Sequence, residues 1–206
     1  MRVAVLGGNG QLGREVVRAL VTRGYTVAAV VRHPAVALVP ASVEVRMADA
    51  RDRIAVTKAI HGFEAVVNVV GGGTLRRNDV ASSTSAVVVA AAQDAGVNRY
   101  LAMSAGMVAL DWPLFKYVLR PLIFRHILAE HRRVEDIVRA STLEWTIVRP
   151  SALTNHLAQG YDASLELQPR AFTTSRADRP LGIVGSILGP NALYQLVLSL
   201  FSLLTC

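Results

Sequence analysis

Apolar runs of four to six residues recur along this chain, each closed by a turn signal and followed by a stretch with apolar positions at helical spacing. Val3 to Leu6 is an unbroken apolar run and predicts a strand buried on both faces. Gln11 to Arg23 follow with helical periodicity, and Val27 to Val31 predict a second strand. Val43 to Met47 alternate as a third strand, which ends at Asp49 and gives way to a helix around Ile54 to His61. Ala65 to Val70 read as a fourth, apolar strand ending in Gly71-Gly72-Gly73. A small-residue helix from Val80 to Ala95 stops at Gly96 and leads into strand five, Tyr100 to Met103. A further helix runs from about Ile127 to Ala140, and Trp145 to Pro150 predict strand six, its proline closing the ladder. This alternation, with no internal repeat, predicts a single α/β domain built on a doubly wound parallel sheet.

The first connection carries chemistry. Gly7-Gly8-Asn9-Gly10-Gln11-Leu12-Gly13 joins strand to helix with Gly-x-x-Gly-x-x-Gly spacing. Gly7 permits the tight turn, Gly10 lets the backbone approach a pyrophosphate, and Gly13 lets helix and strand pack closely. The helix N-terminus then supplies amide donors and a positive dipole to a phosphate. Nineteen residues beyond Gly13, where an acidic side chain would hold a ribose 2′-hydroxyl, stands Arg32, followed by His33. A cation there suits a 2′-phosphate, so NADP(H) is the expected cofactor; the plainer reading is a solvated charge at a strand end. Asp49 and Ala50 end strand three at the edge where ligands lie, and Asp49 either meets the adenine or caps the turn or the next helix. Ser104 ends strand five, which sets its hydroxyl beside the nicotinamide in a doubly wound sheet. The expected cofactor set is Gly7, Asn9, Gly10, Gln11, Leu12, Gly13, Arg32, Asp49, Ala50, Val70, Gly71, Ser104 and Pro150.

Composition narrows the classes. A length of 206 residues fits one domain, and the single cysteine, Cys206, leaves no disulfide framework and no cysteine metal site, which fits a reducing, cytoplasmic setting. The first strand begins at Arg2, with no signal peptide expected ahead of it. The net charge of +7 raises nucleic acid as a partner. Arg120, Arg125, Arg132, Arg133 and Arg139, however, are interleaved with Glu130, Glu135 and Asp136 and lack aromatic stacking partners, so a solvated helix face is the expectation and nucleic acid is not. His126 and His131 are five residues apart and do not share a helix face, so no metal site is expected from them.

Over roughly Met1 to Asp178 the chain resembles an atypical short-chain dehydrogenase/reductase of the group with NmrA-like and flavin/biliverdin-reductase-like proteins. The likeness rests on the glycine turn, Val31-Arg32-His33-Pro34, Ala48-Asp49-Ala50, Met103-Ser104-Ala105, and His131-Arg132-Arg133-Val134-Glu135 leading into Trp145-Thr146-Ile147-Val148-Arg149-Pro150. It implies a Rossmann-type sheet, NADP(H) on its C-terminal edge, and a small-substrate pocket built by later loops. Ser104 matches the family's active-site serine, and a reductase of a small carbonyl, quinone or flavin-like acceptor is the leading expectation. A non-catalytic NADP(H)-binding redox sensor of the NmrA type is the alternative.

Two departures stand out. Tyr-x-x-x-Lys is absent, since the only lysines are Lys58 and Lys116 and neither follows a tyrosine by four. His131 and Tyr117 are proton-donor candidates by residue type alone. The second departure divides the chain into a binding domain, 1–180, and a tail, 181–206, whose twenty-six residues carry no charge. A helix packed on the domain or in a dimer contact, a membrane contact, and an altered reading frame are the expectations for this tail. Gly189-Pro190-Asn191 interrupts the run and weighs against a spanning helix.

Overall fold

The computed structural model describes residues 1–71, 78–105, 113 and 115–149, and four later strand segments. In chain order the first half comprises β1 (Arg2–Leu6), α1 (Gln11–Thr22), β2 (Thr26–Val31), β3 (Glu44–Met47), α2 (Arg53–Ile60), β4 (Ala65–Asn68) and α3 (Val80–Asp94). It continues with β5 (Arg99–Met103), a π-helical segment (Phe115–Phe124), α4 (Arg125–Arg139) and β6 (Glu144–Val148). The later strands are β7 (Ala152–Thr154), β8 (Asp162–Ser164), β9 (Thr173–Ser175) and β10 (Ala192–Val197).

The main sheet has the order β3-β2-β1-β4-β5-β6-β10-β8. Strands β1 to β6 all run parallel, and β10 joins β6 in parallel, pairing Leu193 with Ile147. β8 closes that side antiparallel, and β7 pairs with β9 apart from the main sheet. From β1 the chain winds outward through β2 and β3, then returns to β4 and winds the other way. This is a Rossmann-type arrangement, with its crevice at the reversal between β1 and β4.

Period-2 alternation divides the sheet's side chains between two cores. Ala4, Leu6, Val30, Val66, Tyr100 and Ile147 face one side and meet Val56 and Ile60 of α2, Val88 of α3, and Val134 and Val138 of α4. Val3, Val5, Val27, Ala29, Val67 and Leu101 face the other side and meet Val16, Val17 and Leu20 of α1. The i, i+1, i+4 spacing of those three α1 residues is why an amphipathic helix forms there. Gly24 (φ +78°) then ends it in a left-handed conformation that glycine adopts freely.

Two expectations are corrected. Strand four ends at Asn68, not Val70, and is not wholly apolar. The Asn68 amide donates to the Tyr100 hydroxyl (3.0 Å) and to Ser85 Oγ (3.4 Å), while its oxygen accepts from the Val70 N–H (3.1 Å), turning the chain out of the ladder. A buried amide needs such partners, and the arrangement also satisfies Tyr100, whose hydroxyl burial pushes up to about 12 against the lowering effect of Asn68 and Ser85. The second correction concerns the tail, where the described segment 192–197 is a strand and not a helix. After Pro190 the apolar run is short enough for a strand, and β6 offers it an open ladder. The main sheet thus includes this described segment of the tail. Among the described residues no helix is long and apolar enough to cross a membrane.

Candidate functional site

At the C-terminal ends of β1 to β4 lies a cavity of about 580 Å³. Its floor is the turn between β1 and α1. Gly7 stands at φ +79° with its N–H on the Val30 carbonyl (3.1 Å), and the Gly10 N–H closes the turn on the Gly7 carbonyl (2.8 Å). A Cβ on Gly13 would stand 2.1 Å from the Gly7 oxygen and 2.9 Å from Gly8 Cα, so Gly13 clears space for the turn itself and not chiefly for a strand. Close packing onto the strands falls to Gly8, which the motif reading passed over: a Cβ there would meet that of Ala29 at 2.8 Å. Gly10 is different, because a side chain there would contact only the Gly7 oxygen (3.2 Å); Gly10 lines the cavity, and its bareness keeps that space open.

The helix N-termini are not alike. Asp52 caps α2 by accepting from the Ala55 N–H (3.0 Å). In α3, Glu130 of α4 accepts from the Ser82 N–H (2.8 Å) and Oγ (3.0 Å), an anion set on the helix's positive end. α1 starts at Gln11 behind Gly10, an N-cap residue that offers no side-chain cap, and has no acidic residue in its first turn. Among the described residues no side chain is seen to cap its leading amides, which suit an anion from outside.

The remaining expected residues separate into those the cavity gathers and those it does not. Arg32 and His33 line it after β2, Asp49, Ala50 and Arg51 after β3, and Val70 and Gly71 after β4. Asn9 also lines it, but its side chain works as a brace: Nδ2 donates to the Val36 carbonyl (3.0 Å) and Oδ1 accepts from the Leu38 N–H (2.8 Å). Asp49 has its carboxylate on the Arg51 N–H (3.0 Å), the turn-capping role, while still facing the cavity. Gln11, Leu12 and Gly13 are not among the lining residues, and Pro150 lies outside the described residues.

Ser104 also stands apart from this cavity. It is buried, and its hydroxyl donates to Glu135 Oε1 (2.7 Å), so the proton expected to face a substrate is directed into the protein. Glu135 is the residue the sequence reading missed. Arg149 Nε binds its Oε1 (2.7 Å), Arg149 Nη2 its Oε2, and Arg139 approaches at 3.1 Å, so one carboxylate ties the ends of β5 and β6 to α4. Burial pushes the Glu135 carboxyl up, but the hydrogen bonds from Arg149 and Ser104 and the charges of Arg149 and Arg139 outweigh it and hold it below the usual range. His131 lies one turn earlier on α4, its Nδ1 buried and without a hydrogen-bond partner. Burial lowers its pKa, with Glu130 and Glu135 opposing, which favours the neutral imidazole. Tyr117 is 72% exposed on the π-helical segment.

A bare main-chain anion seat at the sheet's reversal, with the Arg32 guanidinium at the end of β2, fits a dinucleotide. The sequence profile described as NAD(P)H-binding matches residues 7–179. The chain belongs to this NAD(P)H-binding family. No curated protein sequence matches it. Among solved structures, an oxidoreductase from Lactococcus lactis shares 21% identity at TM-score 0.78, covering 96% of this chain and 90% of the other. A short-chain dehydrogenase/reductase from Veillonella parvula, solved in complex with NADP, shares 18% at TM-score 0.78, covering 96% and 94%. An anaerobillin reductase from Escherichia coli shares 20% at TM-score 0.77, covering 96% and 97%. At these identities the likeness shows the fold, and the family match shows that the protein is NAD(P)H-binding. The cavity residues fit that cofactor, since the seat is one that side chains on Gly10 and Gly13 would obstruct.

Proposed function

We propose that the protein is an NADPH-dependent reductase acting on a small carbonyl, quinone or flavin-like acceptor. The observation that carries the reading is the meeting, in one cavity, of an uncapped α1 N-terminus with Arg32 and His33. The amides of α1 would hold the diphosphate, and Arg32 would hold the 2′-phosphate through charge-assisted hydrogen bonds. Bound there, the reduced nicotinamide supplies a hydride. The chain's own part is orientation: the Glu135 clamp fixes the ends of β5 and β6, and Asn68 fixes the exit of β4. Names of structural neighbours support the reading, since one is a reductase and another was solved with NADP.

A second reading, a redox sensor that binds NADP(H) without turnover, is favoured by the Ser104 proton being committed to Glu135 and by the missing Tyr-x-x-x-Lys pair. Tritium transfer from labelled NADPH to a panel of quinones, flavins and aldehydes separates the two. Label is expected in at least one acceptor. Binding of NADPH without any transfer overturns the reductase and leaves the sensor.

A further inference from the structure

We propose that Arg51 and Asp79 form a clasp over the adenine end of the cofactor cleft. Arg51 stands on the loop after β3 and Asp79 on the residue before α3, and these two segments are opposite walls of the cavity, lined by Asp49 and Ala50 on one side and by Val80 and Thr84 on the other. Arg51 Nη2 reaches an oxygen of Asp79 at 3.4 Å, so the pair bridges the two walls.

Two details make this bridge more than a passing surface contact. Asp79 holds the N-cap position of α3, where an aspartate ordinarily accepts from its own helix, yet its side chain makes no cap hydrogen bond. Asn78 takes the Val80 N–H (3.3 Å) and Glu130 takes that of Ser82, which leaves the Asp79 carboxylate for Arg51. Arg51 is also held at its base, where its N–H donates to Asp49 Oδ1 (3.0 Å). A side chain anchored at both ends presents a planar guanidinium across the cleft, and such a plane stacks on an aromatic base. As an exposed pair it contributes little to folding; a purine beneath it would displace water and strengthen the contact.

The proposal rests on the cofactor reading above, and the experiment keeps the two distinct. Affinities of NADPH, NADH and reduced nicotinamide mononucleotide, which lacks the adenosine, are measured by calorimetry for the wild-type chain, Arg51→Ala and Asp79→Ala. Arg51→Ala is expected to weaken both dinucleotides by the same factor, about three- to tenfold, and to leave the mononucleotide unchanged. Asp79→Ala is expected to lower both dinucleotides by a smaller common factor. Both side chains are more than half exposed, so the melting temperature should not move. A loss confined to NADPH would make Arg51 a phosphate reader and overturn the clasp, as would unchanged dinucleotide affinity in either variant or an equal loss with the mononucleotide. A wild-type chain that binds neither dinucleotide sinks the cofactor reading instead.

Discussion

Gly13→Ala is the sharpest probe of the phosphate seat, because it adds one methyl group to a place with no room for it. The new Cβ would lie 2.1 Å from the Gly7 oxygen, where real contacts essentially never fall under 3.0 Å, so the carbonyl must retreat by about 0.9 Å. That oxygen accepts from the Gly10 N–H at 2.8 Å, and the obstruction is backbone, which cannot rotate aside as a flexible side chain would. Overpacking of this kind costs ~1–3 kcal/mol, while alanine is favoured over glycine within a helix by ~1 kcal/mol. The two effects partly cancel in stability, and the melting temperature should fall by only a few degrees or less. They do not cancel in binding, where the displaced turn carries the amides that would meet the diphosphate on the proposed reading. Affinity for NADPH and NADH should fall together, by about tenfold or more, since a charge-assisted hydrogen bond is worth ~1.5–3 kcal/mol. Titration calorimetry reads this directly. Wild-type affinity in Gly13→Ala, or a loss for one cofactor only, would refute the assignment of the seat.

Arg32→Asp should weaken NADPH beyond NADH by ~1.5–3 kcal/mol, and equal losses in parallel titrations would show that Arg32 does not read the 2′-phosphate. Asn9→Ala removes the two hydrogen bonds that hold the 36–38 segment to the glycine turn. It should weaken NADPH several-fold while lowering stability by no more than ~1–2 kcal/mol, and a large melting shift with intact affinity would contradict the brace. Glu135→Gln leaves Arg149 and Arg139 without their anion and should cost about 3 kcal/mol in chemical denaturation. Because the folded Glu135 pKa lies below its ordinary 4.5, its contribution is fully present above that pH and is lost as pH falls through the folded value. The variant should therefore show a flatter acid dependence than wild type below pH 4.5, and identical acid profiles would count against the clamp.

The first six strands and the four α-helices were legible because their signals are local. Runs such as Val3 to Leu6 and the α1 face of Val16, Val17 and Leu20 declare their period within one element. The glycine turn was legible for the same reason, down to the bare cavity position of Gly10. Contacts between distant elements were not. Glu130 meets Ser82 across 48 residues, and Glu135 meets Ser104 across 31, so nothing near either glutamate announces that one caps another helix and the other takes the serine's proton. Asn68 was hidden by the valines around it; the polar position inside an apolar run was the available signal that the strand stops there. Sequence leaves the tail at 192–197 open between a packed helix, a membrane contact and an altered reading frame, because an apolar run that short suits either period, and the open side of β6 gives it a strand's place.

The main-chain construction of the diphosphate seat has an evolutionary reach. Peptide N–H groups are the same in every sequence, so substitutions can block the seat but cannot retune what it holds. On the proposed reading, preference between phosphorylated and unphosphorylated dinucleotide would rest instead on Arg32, an exposed side chain outside both cores. Holding a cofactor and choosing one are thus separately mutable, and a lineage with this scaffold can exchange its electron donor through surface changes while the interior stays as it is.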